Sequence, residues 1–484
     1  MPEYFLETLL ASGIMIAFQF LELYLKYWAM AAEIPLWYSL NWGEAQLAPK
    51  HYIYVIPIIS ILLLSSGLAF AIHAQRAYMR YGSNLILASI SLYNYILTIS
   101  LFRIIRITSL PTTPLFSQEF KILGAPFIAS LVAVYIVAPR FIELLKEKEI
   151  VTDPSIHKHP SMLLKGPSAR GGGLLVTCVI SILAVYFVPL NRIFISIISS
   201  ALLLALLGFF DDVQNTITTK LNFLENPNVR LGIQALIISL VLFAGVTIDF
   251  VNNPFDGTLF LQEYSLNIAG TNITPLPVII TLFWLLWMIN LLSWSNGIDG
   301  QYAGIIGIAS LVISIIALRD IQTDPNQINV AIMGMLIAGA SFGLIKYTWH
   351  PSKIMWGFGA TSAAFLLAAI SILTRAKITV TIIALAVPFL DALITVGRRL
   401  LEGKNPLKGD RGHLQHLLLD RGWKIQSIAL FYWATTALLG GLAIFSADRQ
   451  IPILIFTVFG VIATAIIVLN AKSRKQKQQQ LQVE

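Results

Sequence analysis

Two adjacent carboxylates, Asp211 and Asp212, close a long apolar run in GFFDDVQN (208–215). Side by side at a lipid boundary they repel each other and favour a cation. Successive residues point in different directions on a helix. One carboxylate can therefore hold a metal while the other faces a substrate. A helix simply ending in water is the plainer alternative, yet no turn separates the pair from the apolar run. In NLLSWSNGIDGQ (290–301), Asn290, Ser293, Asn296 and Asp299 recur every third residue. On a continuous helix that spacing lines polar groups along one stripe. A helix end followed by a turn at Gly297 and Gly300 is the other reading.

Two more clusters carry anion-binding chemistry. In HKHPSMLLKGPSARGGG (157–173), Arg170 precedes Gly171–Gly173 at the start of an apolar segment. Backbone N–H groups at a helix start can receive phosphate, and Lys165 and Arg170 add positive charge. Glycines packed at a helix entry would look the same. In RRLLEGKNPLKGDRGHLQH (398–416), His413 and His416 stand three apart among Arg398, Arg399, Lys404, Lys408 and Arg411. No cysteine or third nearby ligand supports zinc. The basic surroundings favour a nucleotide or phosphate contact, against the alternative of a basic loop at a membrane surface. Gly359–Ala363 reads as a small-residue helix entry for close packing.

These clusters need elements to hold them, and the elements are membrane helices. Hydrophobic residues are 56% of the chain, charged residues 12%, and mean hydropathy is +0.75. Soluble domains carry about a quarter charged residues. The fold class expected is an all-α polytopic membrane protein. About fourteen apolar segments have roughly the length that crosses ~30 Å of hydrocarbon. They lie near 5–32, 52–74, 83–102, 124–145, 172–190, 193–210, 230–247, 275–295, 302–318, 327–347, 358–374, 378–397, 425–446 and 451–470. With the N-terminus inside, the inner connections carry 21 Lys and Arg and the outer ones 9, with three inside spans. That asymmetry places both termini and all four polar clusters in the cytoplasm. The net charge of +8 has no basic stripe interleaved with aromatics, so nucleic acid is not an expected partner. The single cysteine, Cys178, allows no internal disulfide.

Taken together, the motifs resemble the polyprenyl-phosphate N-acetylhexosamine-1-phosphate transferases, the MraY/WecA-like membrane enzymes. The resemblance rests on DPSIHKHP with PSARGGG, GFFDDV, Asn290–Gly300, P-F-L-D (388–391) and the segment RR…DR-x-H-x-x-H, in this order across about 120–470. It implies a core of about eleven transmembrane helices over 116–470. Residues 1–115 would be about three additional membrane helices, and 471–484 a basic cytoplasmic tail. It further implies transfer of a sugar-1-phosphate from a UDP-sugar to polyprenyl phosphate with Mg²⁺, releasing UMP, for the cell envelope. The site would face the cytoplasm of a multi-pass protein in the cell membrane.

On that resemblance Asp212 aligns or deprotonates the lipid phosphate, and Asp211 and Asp299 lie near the metal. Asn290 and Asn296 hydrogen-bond phosphate, sugar or metal-bound water. Lys165, Arg170, Arg411, His413 and His416 hold the diphosphate. The chain departs from the family pattern at Ser293, Asn296, Ala360, Gln415 and Arg230. Asn296 and Ala360 stand where acids are expected, so Mg²⁺ binding should be weak. A pseudoenzyme that binds polyprenyl phosphate or nucleotide-sugar is the rival reading. A secondary transporter would want polar or broken helices at mid-bilayer, whereas the polar groups here sit at span ends.

Overall fold

The computed structural model describes residues 4–37, 43–77, 79–109, 123–153, 166–217, 224, 226–252, 258–268, 271–374, 377–405, 412–445 and 451–481. The chain divides into two compact units, Met1–Gln118 and Glu119–Glu484. Each of the fourteen apolar segments contains a helix, three in the first unit and eleven in the second. Among the described residues, eight helices are long and apolar enough to cross a membrane, and one bent pair passes the same test only when its two helices are taken together. The protein is an all-α polytopic membrane protein.

The first unit holds α1 (Phe5–Lys26), α2 (Val55–Arg76) and α3 (Arg80–Thr108), with a short hairpin of β1 (Glu33–Pro35) and β2 (Leu47–Pro49). Its helices share a polar tie as well as apolar packing. The buried Gln19 amide of α1 donates to Ser60 Oγ of α2 at 3.0 Å and to Thr98 Oγ1 of α3 at 2.8 Å. Lipid competes poorly for such bonds, so they help hold membrane helices together.

The second unit begins with α4 (Ala125–Glu147), then β3 (Val151–Thr152) and β4 (Ser168–Arg170). Next come α5 (Gly172–Phe187), α6 (Arg192–Ile217) and α7 (Pro227–Phe243). Two hairpins follow, β5 (Phe250–Asn252) with β6 (Thr258–Phe260), and β7 (Leu266–Ile268) with β8 (Thr271–Ile273). After them run α8 (Pro275–Trp294), α9 (Gln301–Arg319), α10 (Gln327–Thr348), β9 (Ile354–Met355) and α11 (Ala360–Leu373). The remainder is α12 (Lys377–Ala384), α13 (Ala386–Leu401), α14 (Leu414–Leu419), α15 (Ile425–Phe445) and α16 (Ile451–Leu481). Helix α16 runs on through most of the segment read from sequence as a tail.

The core centres on α11. Its 14 residues rise only about 21 Å, and Ala360–Ser371 are all buried. Small residues make that enclosure possible. A Cβ on Gly173 of α5 or Gly208 of α6 would overlap the backbone of Gly359, just before α11. The three glycines thus let three chain segments meet at backbone contact. Beside this junction, β4 pairs antiparallel with β3 and parallel with β9, with Ala169 opposite Ile354 and Arg170 opposite Met355.

Two expectations fail here. The segment 378–397 is not one straight span: α12 and α13 meet at Leu385 with an 85° bend. The polar stripe from Asn290 to Asp299 is not continuous either. Helix α8 ends at Trp294, and Asn296 and Asp299 lie in the connection to α9. Gly300 takes a left-handed conformation (φ +77°) that glycine adopts without steric cost and most residues avoid. The helix-end reading of this segment is the one the fold adopts.

Candidate active site

The polar segments meet at one end of the second unit, where α5, α9 and α11 begin and α6, α8 and α10 end. Asp212 lies deepest. Its carboxylate accepts the Phe358 N–H at 3.1 and 3.2 Å, and Arg170 Nη1 stands 3.5 Å away. Arg170 is itself aimed by Nε, which donates to Thr152 on the neighbouring strand β3. Gly357 makes the fit possible: its φ is +63°, and a Cβ there would overlap the Asp212 carboxylate. Asp211, on the next turn of direction, accepts from Asn215 Nδ2 at 3.0 Å and lies 4.0 Å from Arg230 Nη1. The Arg230 guanidinium also packs 4.9 Å from the Phe358 ring centre. Two carboxylates and two arginines thus form a corner. The acids are buried, but the Arg170 and Arg230 side chains keep 24% and 28% of their surface exposed.

The α8–α9 connection borders this corner. Asn296 Nδ2 donates to Gly357 O at 3.3 Å, which brings it beside Asp212. Asp299 turns the other way. Its Oδ2 is 2.7 Å from His350 Nδ1 and accepts the Ser352 N–H at 3.3 Å. Asp299 therefore shares the region with Asp211 and Asp212, but its carboxylate serves the segment leading into β9.

His413 and His416 flank the same connection from α14. His413 is boxed in: Nδ1 lies 3.0 Å from Asp391 Oδ2, and Arg399 Nη2 lies 3.4 Å from Nε2. Its ring also stands 5.9 Å from that of Trp294. Gln415 donates to Trp294 O at 3.1 Å and accepts from Gln301 Nε2 at 3.0 Å, spanning the connection from end to end. His416 is buried with its ring towards Gly297.

Other expected residues fare differently. Asn290 donates to Gln234 on α7 at 3.3 Å and to Leu286 O at 2.8 Å, so its amide is used between helices. Gly173 N–H is bonded to Trp356 O, and Gly172 and Gly173 pack on Met355–Gly359, so these glycines serve packing. Ala360 is fully buried, and its carbonyl accepts from Tyr302. The residue that meets the Asp212 carboxylate is Phe358, two residues earlier, through its backbone N–H. Lys165 and Arg411 lie outside the described residues.

Sequence reasoning missed Thr152, His350, Phe358 and Asp391 as members of this region, and it read Arg399 as part of a basic anion-binding surround, whereas Arg399 is buried against His413. Asp391 had a signal, since it ends the P-F-L-D motif, but nothing in the sequence paired it with His413. His350 had none.

The donor set bears on Mg²⁺. Among the described residues, no three His, Cys, Asp or Glu side chains are grouped to hold a metal. A Mg²⁺ site commonly takes one or two carboxylates and completes its six oxygens from substrate phosphates and water. The Asp211–Asp212 corner fits that kind of site, and not a complete protein cage.

Known proteins share this sequence pattern. Residues 194–375 match the family described as glycosyl transferase family 4. The chain is 27% identical over 306 residues to the probable undecaprenyl-phosphate N-acetylglucosaminyl 1-phosphate transferase of Bacillus subtilis, covering 61% of this chain and 77% of that protein. It is 26% identical over 340 residues to the phospho-N-acetylmuramoyl-pentapeptide-transferase of Enterococcus faecalis, covering 68% and 99%. A decaprenyl-phosphate N-acetylglucosaminephosphotransferase of Mycolicibacterium smegmatis matches at 27% over 207 residues, covering 38% of this chain and 48% of that protein.

Proposed function

We propose that the chain, which belongs to the MraY/WecA-like glycosyl transferases of family 4, transfers a sugar-1-phosphate from a UDP-sugar to polyprenyl phosphate. The sugar is an N-acetylhexosamine, the site faces the cytoplasm of the cell membrane, and the product feeds cell-envelope polysaccharide synthesis. The observation that carries the reading is the corner of Asp211, Asp212, Arg170 and Arg230 at the end of membrane helix α6. A lipid phosphate and a water-soluble diphosphate can meet only at such a boundary.

The reaction is a phosphoryl substitution. An oxygen of the lipid phosphate attacks the β-phosphorus of the UDP-sugar. The bond from that phosphorus to the bridging oxygen breaks, and UMP leaves with the electron pair. Catalysis of this kind is mainly positioning and charge neutralisation. Asp212 aligns the acceptor phosphate and takes its proton where one is present. Arg170 and Arg230 balance the phosphate charges. Asn296 offers a neutral amide at the edge of the corner. Mg²⁺ would be held by Asp211 with diphosphate oxygens, and it would supply further neutralisation of the diphosphate.

A second reading has two observations in its favour. Asn296 brings no negative charge to the corner, and no three-ligand metal group exists among the described residues. A protein that binds polyprenyl phosphate or nucleotide-sugar without turnover would need no such group. Purified protein with undecaprenyl phosphate, UDP-GlcNAc and Mg²⁺ separates the two. UMP release supports the transferase, and lipid binding without UMP release across several UDP-sugars supports the binding protein.

A further inference from the structure

From Asp391 onward, helix α13 turns a polar face inward, as ionisable residues in membrane segments do. Asp391, Thr395 and Arg399 recur every fourth residue and are all buried, while Leu393, Leu400 and Leu401 on its other faces are exposed. Residues four apart share a helix face. The buried face thus carries a polar stripe beside the apolar Val387, Leu390 and Ala392, and a charge is costly to bury unless it is paired. The partner it meets is the start of α14. Asp391 Oδ1 accepts the Leu414 N–H at 2.7 Å, and Oδ2 lies 3.0 Å from His413 Nδ1. Two turns along, Arg399 brings Nη2 to 3.4 Å from His413 Nε2 and packs 5.8 Å from the Trp294 ring centre.

The protons on this box can be assigned by counting donors and acceptors. A carboxylate only accepts, and a guanidinium only donates. His413 satisfies both at once in a single form: neutral, with the proton on Nδ1 and the lone pair on Nε2. Both ring nitrogens are then used by protein groups, and His413 is 5% exposed. The ring is thus occupied in holding α14. Its effect reaches the reaction region through Trp294 and through Gln415, two residues on, which grips Trp294 O and Gln301 across the α8–α9 connection.

We propose that Asp391 is a positioning residue that acts through His413. It fixes the histidine tautomer that Arg399 requires, and so sets the α14 start against the connection carrying Asn296. An amide at 391 cannot replace the carboxylate. If its oxygen accepts from Leu414, its NH₂ faces His413 and drives the ring proton to Nε2, against Arg399. If it is flipped, its NH₂ faces the Leu414 N–H. Either way two donors are opposed.

The rate arm of the test rests on the transferase reading, and the spectroscopic arm does not. In ¹⁵N-histidine-labelled wild type, a neutral Nδ1–H signature from His413 is expected among the seven histidines, beside any from His350, whose Nδ1 faces Asp299. The His413 signature should be lost in His413→Gln and change to the Nε2–H form in Asp391→Asn. In UMP release, each single variant should lower kcat/KM about tenfold or more. The double variant should be no worse than the poorer single within about threefold, because both changes cut one link. Asp391→Glu, which keeps the carboxylate, should recover part of the rate.

A His413 Nδ1–H signature that ignores Asp391→Asn overturns the proposal, and so does a double variant whose loss is the product of the singles. A wild type that releases no UMP sinks the transferase reading and leaves the histidine spectra to decide this one.

Discussion

The second unit keeps two acid-containing clusters near one connection, and they are finished differently. In the Asp391 box every group is enclosed and matched: carboxylate to imidazole, imidazole to guanidinium, guanidinium to the Trp294 face. In the Asp211–Asp212 corner the carboxylates are buried, but their cations are only partly covered and the contacts are long, 3.5 and 4.0 Å. Matched, sealed charges rigidify a structure. Arg170 and Arg230, 24% and 28% exposed and only loosely engaged by the acids, keep charge that a phosphate can meet. On the proposed function, the difference separates a cluster that holds the site from one that handles substrate.

The sharpest way to break this comparison is at Asp212. Asp212→Asn should lower UMP release at least about a thousandfold, the scale of losing a group that acts in the transition state, with thermal unfolding nearly unchanged. A variant that keeps its rate would remove the corner from the chemistry. The opposite balance is expected in the box. Asp391→Ala leaves two buried donors, His413 Nδ1 and the Leu414 N–H, without their acceptor, which should cost about 1–3 kcal/mol of stability for each. Denaturation of purified protein in detergent checks it, and an unchanged midpoint would deny the box its structural role.

Smaller effects sharpen the picture of the corner. Asn296→Asp adds a carboxylate beside Gly357 and should lower the Mg²⁺ needed for half-maximal UMP release several-fold, because a further oxygen ligand tightens the ion. Ala360→Asp should not do this. Its side chain would enter the core around α11, and unfolding measurements should show lost stability where the Mg²⁺ titration shows no gain. The smallest perturbation tests only orientation. Cysteines at Gln262 and Asn405, both exposed, should differ in intact cells, with an impermeant reagent labelling the first alone. Labelling at 405 from outside would invert the topology.

Much of this architecture was legible because lipid imposes a length and a composition on every crossing. Fourteen apolar segments were each found as helix. The bend at Leu385 had a signal that the span count passed over: every residue of IIALAVPFL is apolar, but Pro388 lacks an N–H and its ring opposes the carbonyl of Ala384, so a straight helix is broken there. The reading of Asn290–Asp299 as one stripe failed because period-three spacing continues through a turn as easily as through a helix. Asp211 and Asp212 could be singled out because carboxylates are conspicuous at the end of an apolar run. His350 and Asp391 could not be paired with Asp299 and His413, because those contacts join residues 51 and 22 positions apart and depend on the fold.

The central claim is that the Asp211–Asp212 corner transfers a sugar-1-phosphate to a lipid. Its most direct test is UMP release by the purified wild type, given undecaprenyl phosphate, UDP-GlcNAc and Mg²⁺, with Asp212→Asn beside it. Wild type should give UMP and lipid-linked sugar diphosphate in equal amounts, dependent on both substrates and on Mg²⁺, and the variant essentially none. Bound lipid with no UMP from wild type, across several UDP-sugars and at any Mg²⁺ level, would contradict it.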